Sequence, residues 1–448
     1  MSAVALETLC RSLMQEAPLP PRERSLARSQ ALKRYAAQHI PSCSQTFSKS
    51  PSQFVQGVAP VYLERGVGGR VWDVDGNEYL DLSMALGAVI IGYADGRVAE
   101  AIASQAHQGT IFTLPHPLEV ELTQMLVELI PCAEMVRFGK NGSDVTSAAV
   151  RVARAFTGRD GIACCGYHGW QDWFIGTTTR RRGVPGAVAA LTNAFHYNDL
   201  KSLEAIFTAS PDGIAAVVME PMGLEEPAPG FLDGVREMTH RHGALLVFDE
   251  IVTGFRFSLG GAQGHFGVIP DLACFGKALA NGMPLAAIVG RRDVMQLFDE
   301  VFFSSTFGGE TASLAAAKTT LTILREPGTL QTLWARGQRL RDGYNALADA
   351  YGLGRITHCN GLPPRTGISF GAGEEAQLMK TYVQQECVKR GLLFTGAHNL
   401  AVAHTDEEID LTLRIYRTVL ELLAQVRQAG RLVDALEGPV VQPVFRKL

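Results

Sequence analysis

The sequence contains no apolar run of about 18 residues, the length that a helix needs to cross a bilayer. Its N-terminal segment, MSAVALETLCRSLMQEAPLP, includes Glu7 and Glu16 and lacks a basic start followed by an apolar stretch, so no secretory leader is expected. The formal net charge is only −4, and the chain has no strongly basic field that would attract nucleic acid. We therefore expect neither a membrane nor a nucleic acid as a partner.

Cysteine is sparse and scattered. The 8 cysteines form no CxxC pair and no His/Cys cluster with zinc-ligand spacing, so no metal site is expected. A disulfide framework is not expected in a long chain without an export signal, and we expect a reducing, cytoplasmic compartment. Cys164 and Cys165 stand in the apolar run GIACCGY and are interpreted as small core residues.

The length of 448 residues exceeds one ordinary domain and suits two or three. With 46% hydrophobic and 19% charged residues, the composition is typical of a soluble globular protein with sizeable buried cores.

Short, nearly continuous apolar runs alternate with helical patterns in the middle of the chain. The runs are GIACCGY (161–167), GIAAVVMEP (213–221), GALLVFDEI (243–251) and LAAIVGR (285–291). Runs of this kind predict strands that are buried on both faces, in a mainly parallel sheet covered by helices. Ligands of such sheets bind beyond the carboxyl ends of the strands, where Asp249, Glu220 and Tyr167 stand.

The flanking regions predict different elements. VWDVDGNEYLDL (71–82) predicts a hairpin that turns at Asp75 and Gly76. From about residue 325 a second α+β unit is expected, with a loop and strand in 357–370 and a helix over 373–390. The last long helix is predicted to begin with a capping box formed by Thr405 and Glu408.

Lys277 occupies an unusual position between the apolar segments FG and ALANG. A lysine with little access to water has its charged form disfavoured, and its free amine can form a Schiff base. Asp249 closes a buried run 28 residues earlier, and a carboxylate there needs a partner such as a protonated pyridine nitrogen. Taken singly, a surface lysine and a loop or capping aspartate are the competing interpretations.

Two Gly-containing turns that lead into helices are candidate phosphate sites. FGKNGSDVTSAAVRVARAF (138–156) would place Gly142, Ser143 and Asp144 at a helix N-terminus, where backbone N–H groups and the helix dipole favour an anion. SSTFGGETASLAAAKTTL (304–321) offers the Thr306 hydroxyl in a similar setting. Tyr167 in CCGYHGW could stack on a flat cofactor. Ordinary helix capping and core packing are the alternatives for all three segments.

Together these segments resemble fold-type I pyridoxal 5′-phosphate (PLP) enzymes of the class III aminotransferase family, in particular its glutamate-1-semialdehyde aminomutase-like branch. DEIVTGFR (249–256) resembles the family's DExxTGFR segment, and FGKALANGMP (275–284) its Schiff-base lysine segment. KNGSDVTSAAVRVAR resembles the phosphate cup, and GYHGW the ring-stacking segment. The resemblance covers about residues 40–425.

The resemblance implies a role for each residue around the cofactor ring. Lys277 would form the Schiff base and then shuttle a proton, and Asp249 would pair with the pyridine nitrogen. Ile251 would pack on one ring face and Tyr167 on the other, with Glu220 near the ring hydroxyl. The implied activity is a ping-pong transfer of an amino group from a small-molecule donor to a keto or aldehyde acceptor.

The resemblance also implies how the phosphate is held and how the chain is organised. Gly142 and Ser143 would bind the phosphate, and Thr306 would complete the site from the neighbouring subunit of a homodimer. The implied fold is α/β, with a large domain over 71–322 that contains the mainly parallel sheet. Residues 1–70 and 323–448, at the two chain ends, would form a small α+β domain.

The substrate-selecting segments depart from the aminomutases. ANGMPLAAIVG and STFGGET differ from the corresponding aminomutase segments, and CSQTFSKSP has no arginine to hold a substrate carboxylate. The leading hypothesis is therefore an intermolecular aminotransferase, and the alternative is aminomutase-type intramolecular transfer. Decarboxylase or racemase chemistry and a cofactor-free binding protein are further alternatives. Candidate pocket residues are Phe47, Ser48, Lys49, Phe112, Trp170 and His398.

Overall fold

The computed structural model describes residues 3–210 and 212–444. Its strands are β1 (Leu63–Val67), β2 (Arg70–Asp73), β3 (Glu78–Asp81), β4 (Met135–Gly139), β5 (Gly161–Cys165), β6 (Thr192–Ala194), β7 (Ile214–Met219), β8 (Leu245–Glu250), β9 (Leu272–Phe275), β10 (Ala286–Gly290), β11 (His358–Asn360), β12 (Arg365–Ser369), β13 (Leu392–Leu393) and β14 (Ala397–Asn399).

The helices are α1 (Ala3–Gln15), α2 (Ala27–His39), α3 (Met84–Gly87), α4 (Gly96–Gln108), α5 (Pro117–Leu129), α6 (Gly142–Thr157), α7 (Asp172–Ile175), α8 (Gly186–Ala189), α9 (Leu200–Ala209), α10 (Phe231–Arg241), α11 (Gly261–Phe266), α12 (Arg292–Met295), α13 (Thr311–Leu324), α14 (Thr329–Ala350), α15 (Glu374–Lys389) and α16 (Asp406–Gln428). Short 3₁₀ turns lie at Pro41–Cys43, Phe47–Lys49, Pro51–Gln53, Lys277–Ala280 and Gln296–Asp299. Within the described ranges, no helix is long and apolar enough to cross a membrane.

The chain divides into two compact units. Among the described residues, unit 1 comprises the chain up to Leu86, Ile90–Asp95 and residues 331–444, whereas unit 2 comprises Gly87–Val89 and Gly96–Leu330. The domain limits expected from the sequence, 1–70, 71–322 and 323–448, stay a prediction.

Unit 2 contains a seven-stranded sheet in the order β4-β10-β9-β8-β7-β5-β6. The strands β6, β5, β7, β8 and β9 pair in parallel, and β10 runs antiparallel to both β9 and β4. β7, β8, β9 and β10 are buried along their whole length, because their continuous apolar sequences suit a sheet covered on both faces. The predicted mainly parallel sheet is confirmed, with β10 as its antiparallel member.

Unit 1 contains two smaller sheets, β1-β2-β3-β13 and β11-β12-β14. The predicted hairpin over 71–82 is confirmed by β2 and β3, which pair antiparallel. The carboxylate of Asp75, at the turn, accepts hydrogen bonds from the backbone N–H groups of Arg28 and Ser29 and so caps α2. The predicted capping box of Thr405 and Glu408 is also present at the start of α16.

His398 is fully buried within unit 1. Its Nδ1 lies 2.8 Å from Thr366 Oγ1, and its Nε2 lies 2.6 Å from the Tyr416 hydroxyl. Burial, with a smaller contribution from His404, lowers the pKa of His398 to about 3. The ring is therefore neutral in the folded protein under all ordinary conditions.

This burial predicts a pH dependence of stability. As pH falls below the ordinary histidine value, the unfolded chain takes up a proton at His398 that the folded chain cannot bind, so stability is lost as pH falls from about 6.5 toward 3. The loss from this residue approaches about 1.4 kcal/mol per pH unit. We expect the fall in melting temperature between about pH 7.5 and about pH 5 to be smaller in His398→Gln than in the wild type by about 4 °C.

The control is His107→Gln, which changes an exposed histidine on α4. It should leave the pH-dependent difference in melting temperature as it is in the wild type. An equal difference in His398→Gln and the wild type would contradict the assignment to His398.

Candidate active site

The carboxyl ends of neighbouring parallel strands bring four chemically important segments to one edge of the large sheet. The register places Cys165 beside Met219 and Met219 beside Phe248. One residue further along, Asp249 lies beside Cys274. Three adjacent strands therefore end at or just before Glu220, Asp249 and Lys277. These residues lie at the edge where parallel α/β sheets bind ligands.

Lys277 opens the 3₁₀ turn that follows β9. Its backbone φ is +42°, in the left-handed region that residues other than glycine rarely occupy. Ala278, Leu279 and Ala280 are buried beside it, whereas Lys277 itself is half-buried. A strained backbone held by buried neighbours fixes the point from which the lysine side chain leaves the sheet edge.

Asp249 is almost fully buried and is hydrogen-bonded on both carboxylate oxygens. Its Oδ1 accepts the Ile251 backbone N–H at 3.1 Å, and its Oδ2 lies 2.8 Å from His168 Nδ1. His168 Nε2 lies 3.1 Å from the carbonyl oxygen of Cys165, which can only accept, so Nε2 carries a proton. Both side chains are shielded from water.

His168 is held by its surroundings on several sides. Its ring stacks on Trp173 at 5.9 Å between centroids and meets the edge of Phe174 at 5.1 Å. The Thr146 hydroxyl donates to the His168 carbonyl oxygen at 2.9 Å. No role was assigned to His168 from the sequence, because its partner Asp249 lies 81 positions away and could not be found from spacing along the chain.

Two side chains offer flat or apolar surfaces near these groups. Tyr167 is about half exposed and meets the edge of Phe174 at 5.5 Å. Burial, aided by the charge of Asp249, raises the pKa of Tyr167, so its ring is uncharged at neutral pH. Ile251 packs closely against the backbones of Gly142 and Gly276, where an added Cβ would lie 3.0–3.2 Å from its side chain.

The N-terminus of α6 forms a narrow cradle with the segment after β5. Gly142 and Ser143 are its first two residues, and the amides of a first helical turn lack acceptors inside the helix. Ser143 Oγ accepts the Trp170 backbone N–H at 3.3 Å. Gly169 has a φ of +105°, and a Cβ added there would lie 2.3 Å from Ser143 Oγ. Only glycine permits this close approach.

Glu220 and Thr306 occupy different surroundings. Glu220 Oε2 lies 3.4 Å from the Tyr167 backbone nitrogen, and a Cβ at Gly166 would lie 2.8 Å from the same oxygen. Thr306, in contrast, is exposed in the turn before α13. Within the described part of the chain, no hydrogen bond joins Thr306 to Gly142 or Ser143. The structure thus brings together the predicted site residues of unit 2 except Thr306.

These groups fit the cofactor that the sequence resemblance implies. The two hydrogen bonds to Asp249 leave lone pairs on its carboxylate for a protonated ring nitrogen. The first amides of α6 and the Ser143 hydroxyl suit a phosphate. The missing Cβ at Gly142, Gly169 and Gly276 lets Ile251 and Ser143 lie directly against the backbone at these positions.

Comparisons with known proteins agree with this chemistry. The family model for class III aminotransferases matches residues 53–410. A 3-aminobutyryl-CoA aminotransferase of Cloacimonas acidaminovorans is 38% identical over 415 residues, covering 90% of this chain and 98% of that protein. A glutamate-1-semialdehyde 2,1-aminomutase of Syntrophobacter fumaroxidans is 36% identical over 389 residues, covering 80% and 89%. The FumI protein of Sphingopyxis sp. MTA144, solved in its PLP internal-aldimine form, aligns with a TM-score of 0.83 at 30% identity, covering 90% and 98%.

The cradle predicts a specific effect of Gly169→Ala on cofactor retention. The added methyl group would displace Ser143, so we expect the dissociation constant for PLP to rise by about tenfold or more, the loss of one charge-assisted hydrogen bond. Titration of the apoprotein with PLP measures this change.

The matched control is Gly183→Ala. Gly183 has a similar φ of +95° but no heavy atom within 4 Å of an added Cβ. Alanine at this position therefore strains the backbone as it does at Gly169, but its methyl group meets no neighbouring side chain. Equal PLP affinities in the two variants would contradict the role of the cradle.

Proposed function

Because the chain belongs to the class III aminotransferase family, we propose specific roles for its residues in the reaction and a class of substrate. The protein is a PLP-dependent aminotransferase, which moves an amino group from a donor to a keto or aldehyde acceptor. When bound, PLP supplies the electron sink that such transfer requires. The buried Asp249–His168 pair at the sheet edge, one strand away from Lys277, is the observation on which the residue roles rest.

Lys277 anchors the cofactor through its Nζ atom and then carries the proton to and from the substrate carbon. The strained backbone and buried neighbours of Lys277 support this role, because they restrict where its Nζ can reach.

Asp249 holds a proton on the ring nitrogen, and His168 orients the carboxylate. The hydrogen bond of His168 to Asp249 and the stacking of His168 on Trp173 support this, because they prevent rotation of the carboxylate. Tyr167 and Ile251 would enclose the two faces of the bound ring and exclude water. Glu220 would lie near the hydroxyl of the bound ring.

Gly142 and Ser143 bind the phosphate in one subunit, and Thr306 of a second copy completes that site in a homodimer. Thr306 is exposed beside Phe302 and Phe307, which are 75% and 56% exposed. The Thr311 backbone N–H donates to the Thr110 carbonyl oxygen at 2.9 Å, which ties this turn to the loop that exposes Phe112. An exposed apolar surface of this kind suits a subunit interface.

The transferred amino group stands away from the α-carbon of the substrate. The Cloacimonas relative acts, by its name, on a 3-amino compound. In this chain the segment CSQTFSKSP has no arginine to grip a substrate carboxylate. The alternative is aminomutase-type intramolecular transfer, which the 36% identical Syntrophobacter relative supports. The compartment is cytoplasmic, a proposal supported by eight cysteines that are all unbridged.

The proposed reaction is tested by mixing the holoenzyme with single amino donors. Loss of absorbance at about 410–430 nm should occur with a 3-amino acid or its thioester and yield a separate keto product. Lys277→Ala should lack this band from the start, whereas Lys201→Ala, on the exposed face of α9, should keep it. A band that persists in Lys277→Ala would remove Lys277 from its role, and turnover without a separate keto product would favour the aminomutase.

The proposed interface predicts linked effects of Thr306→Ala. We expect weaker PLP binding by about tenfold and a loss of the stabilisation that PLP gives to the dimer. Thr306→Ser retains the hydroxyl and should behave as the wild type. PLP titration and analytical ultracentrifugation with and without PLP measure both effects, and unchanged PLP affinity in Thr306→Ala would contradict the role.

A further inference from the structure

A half-buried ion pair links the phosphate cradle of unit 2 to the turn that carries Thr306. Lys140 Nζ lies 2.9 Å from Glu310 Oε2, and the two side chains are only 14% and 18% exposed. Lys140 Nζ also lies 3.3 Å from Ser313 Oγ. Lys140 stands two residues before Gly142, and Glu310 stands four residues after Thr306.

The Glu310 end of the pair is firmly positioned. Its carboxylate caps α13, accepting the backbone N–H groups of Ala312 at 2.8 Å and Ser313 at 3.2 Å, and the Ser313 hydroxyl at 2.6 Å. Burial works to raise the pKa of Glu310, but hydrogen bonds from Ser313 and Lys140 outweigh it and lower the pKa. Glu310 therefore remains charged at neutral pH and keeps its attraction for Lys140.

The Lys140 end is part of the cradle. The Asp144 carboxylate accepts the backbone N–H groups of Lys140 at 3.2 Å and Asn141 at 2.8 Å. These bonds fold the chain immediately before Gly142 against the first turn of α6. A shift of Lys140 must therefore move the amides of the cradle as well.

The segment between the 3₁₀ turn Gln296–Asp299 and α13 has two further attachments to the same region. Arg137 Nε, on β4, donates to the Phe303 carbonyl oxygen at 2.9 Å, and the guanidinium Nη1 of Arg151, on α6, donates to the Phe302 carbonyl oxygen at 2.7 Å. These bonds hold the start of the turn. Lys140 holds its end at Glu310, so that Thr306 lies on an exposed span between fixed points.

We propose that Lys140 is a positioning residue that couples occupancy of the phosphate cradle to the placement of Thr306. This inference rests on the proposed function, since Thr306 is there assigned to the phosphate of a second copy. Filling one cradle would then order, through Lys140 and Glu310, the turn that serves the neighbouring cradle. The two cofactor sites of the dimer are thereby linked in their affinity for PLP.

A double-mutant cycle separates positioning from direct attraction. If Lys140 acts through Thr306, Lys140→Met should weaken PLP binding about tenfold in the wild-type background but less than about twofold in the Thr306→Ala background. An equal loss in both backgrounds would overturn the proposal, because Lys140 would then act on the phosphate directly. Lys318→Met, which breaks the part-buried ion pair between Lys318 on α13 and Glu121 on α5, is the matched control and should leave PLP affinity unchanged.

Hydrogen exchange of residues 302–310 provides a second measurement that does not depend on Thr306 or on activity. PLP added to the apoprotein should slow exchange of these amides in the wild type, and this slowing should be lost in Lys140→Met. Slowing that persists in Lys140→Met, or that is absent from the wild type, would overturn the coupling. Glu310→Gln keeps an oxygen to cap α13 but removes the charge, and it should reproduce Lys140→Met if that variant folds poorly.

The two measurements also distinguish failure of this inference from failure of the proposed function. Unchanged PLP affinity in Thr306→Ala would remove Thr306 from the phosphate site, whereas the exchange measurement would still decide whether Lys140 couples the cradle to the turn.

Discussion

The site depends on one buried carboxylate. Asp249 lies at the end of β8, almost out of contact with water, where an unpaired charge would be costly. His168 and the Ile251 backbone satisfy it and leave lone pairs for a cofactor. To hold His168 in place, the chain uses the stacking of Trp173, the edge of Phe174 and the hydroxyl of Thr146. Much of the packing around the segment after β5 therefore serves the orientation of a single acid group.

The site also depends on side chains that lie close to the backbone of glycine residues. Gly169 and Gly142 allow Ser143 and Ile251 to lie where a β-carbon would otherwise stand. These glycines are found where the segments after different strands converge. The parallel register sets that convergence, because it aligns the ends of β5, β7, β8 and β9 along one edge. The same register explains why distant motifs in the sequence form one site.

The sequence was sufficient to predict features that depend on local pattern. The buried strands, the hairpin at Asp75 and Gly76 and the capping box of Thr405 were predicted because hydrophobic periodicity and capping residues act over a few positions. His168 as the partner of Asp249 was not predicted, because the two residues are brought together only by the pairing of β5 with β7 and of β7 with β8. The Lys140–Glu310 pair was missed for the same reason, since 170 positions separate the two residues. The antiparallel direction of β10 was not predicted, because a run of apolar residues does not indicate in which direction its strand pairs.

The ion pair of Lys140 and Glu310 also has an evolutionary consequence. Either residue replaced alone would leave the other as a half-buried charge without its counter-ion. A protein with a substitution at only one of the two positions is therefore disfavoured. Loss of the ion pair during evolution then requires that both residues change within a short interval. Across relatives, the residues at the positions of Lys140 and Glu310 should therefore covary.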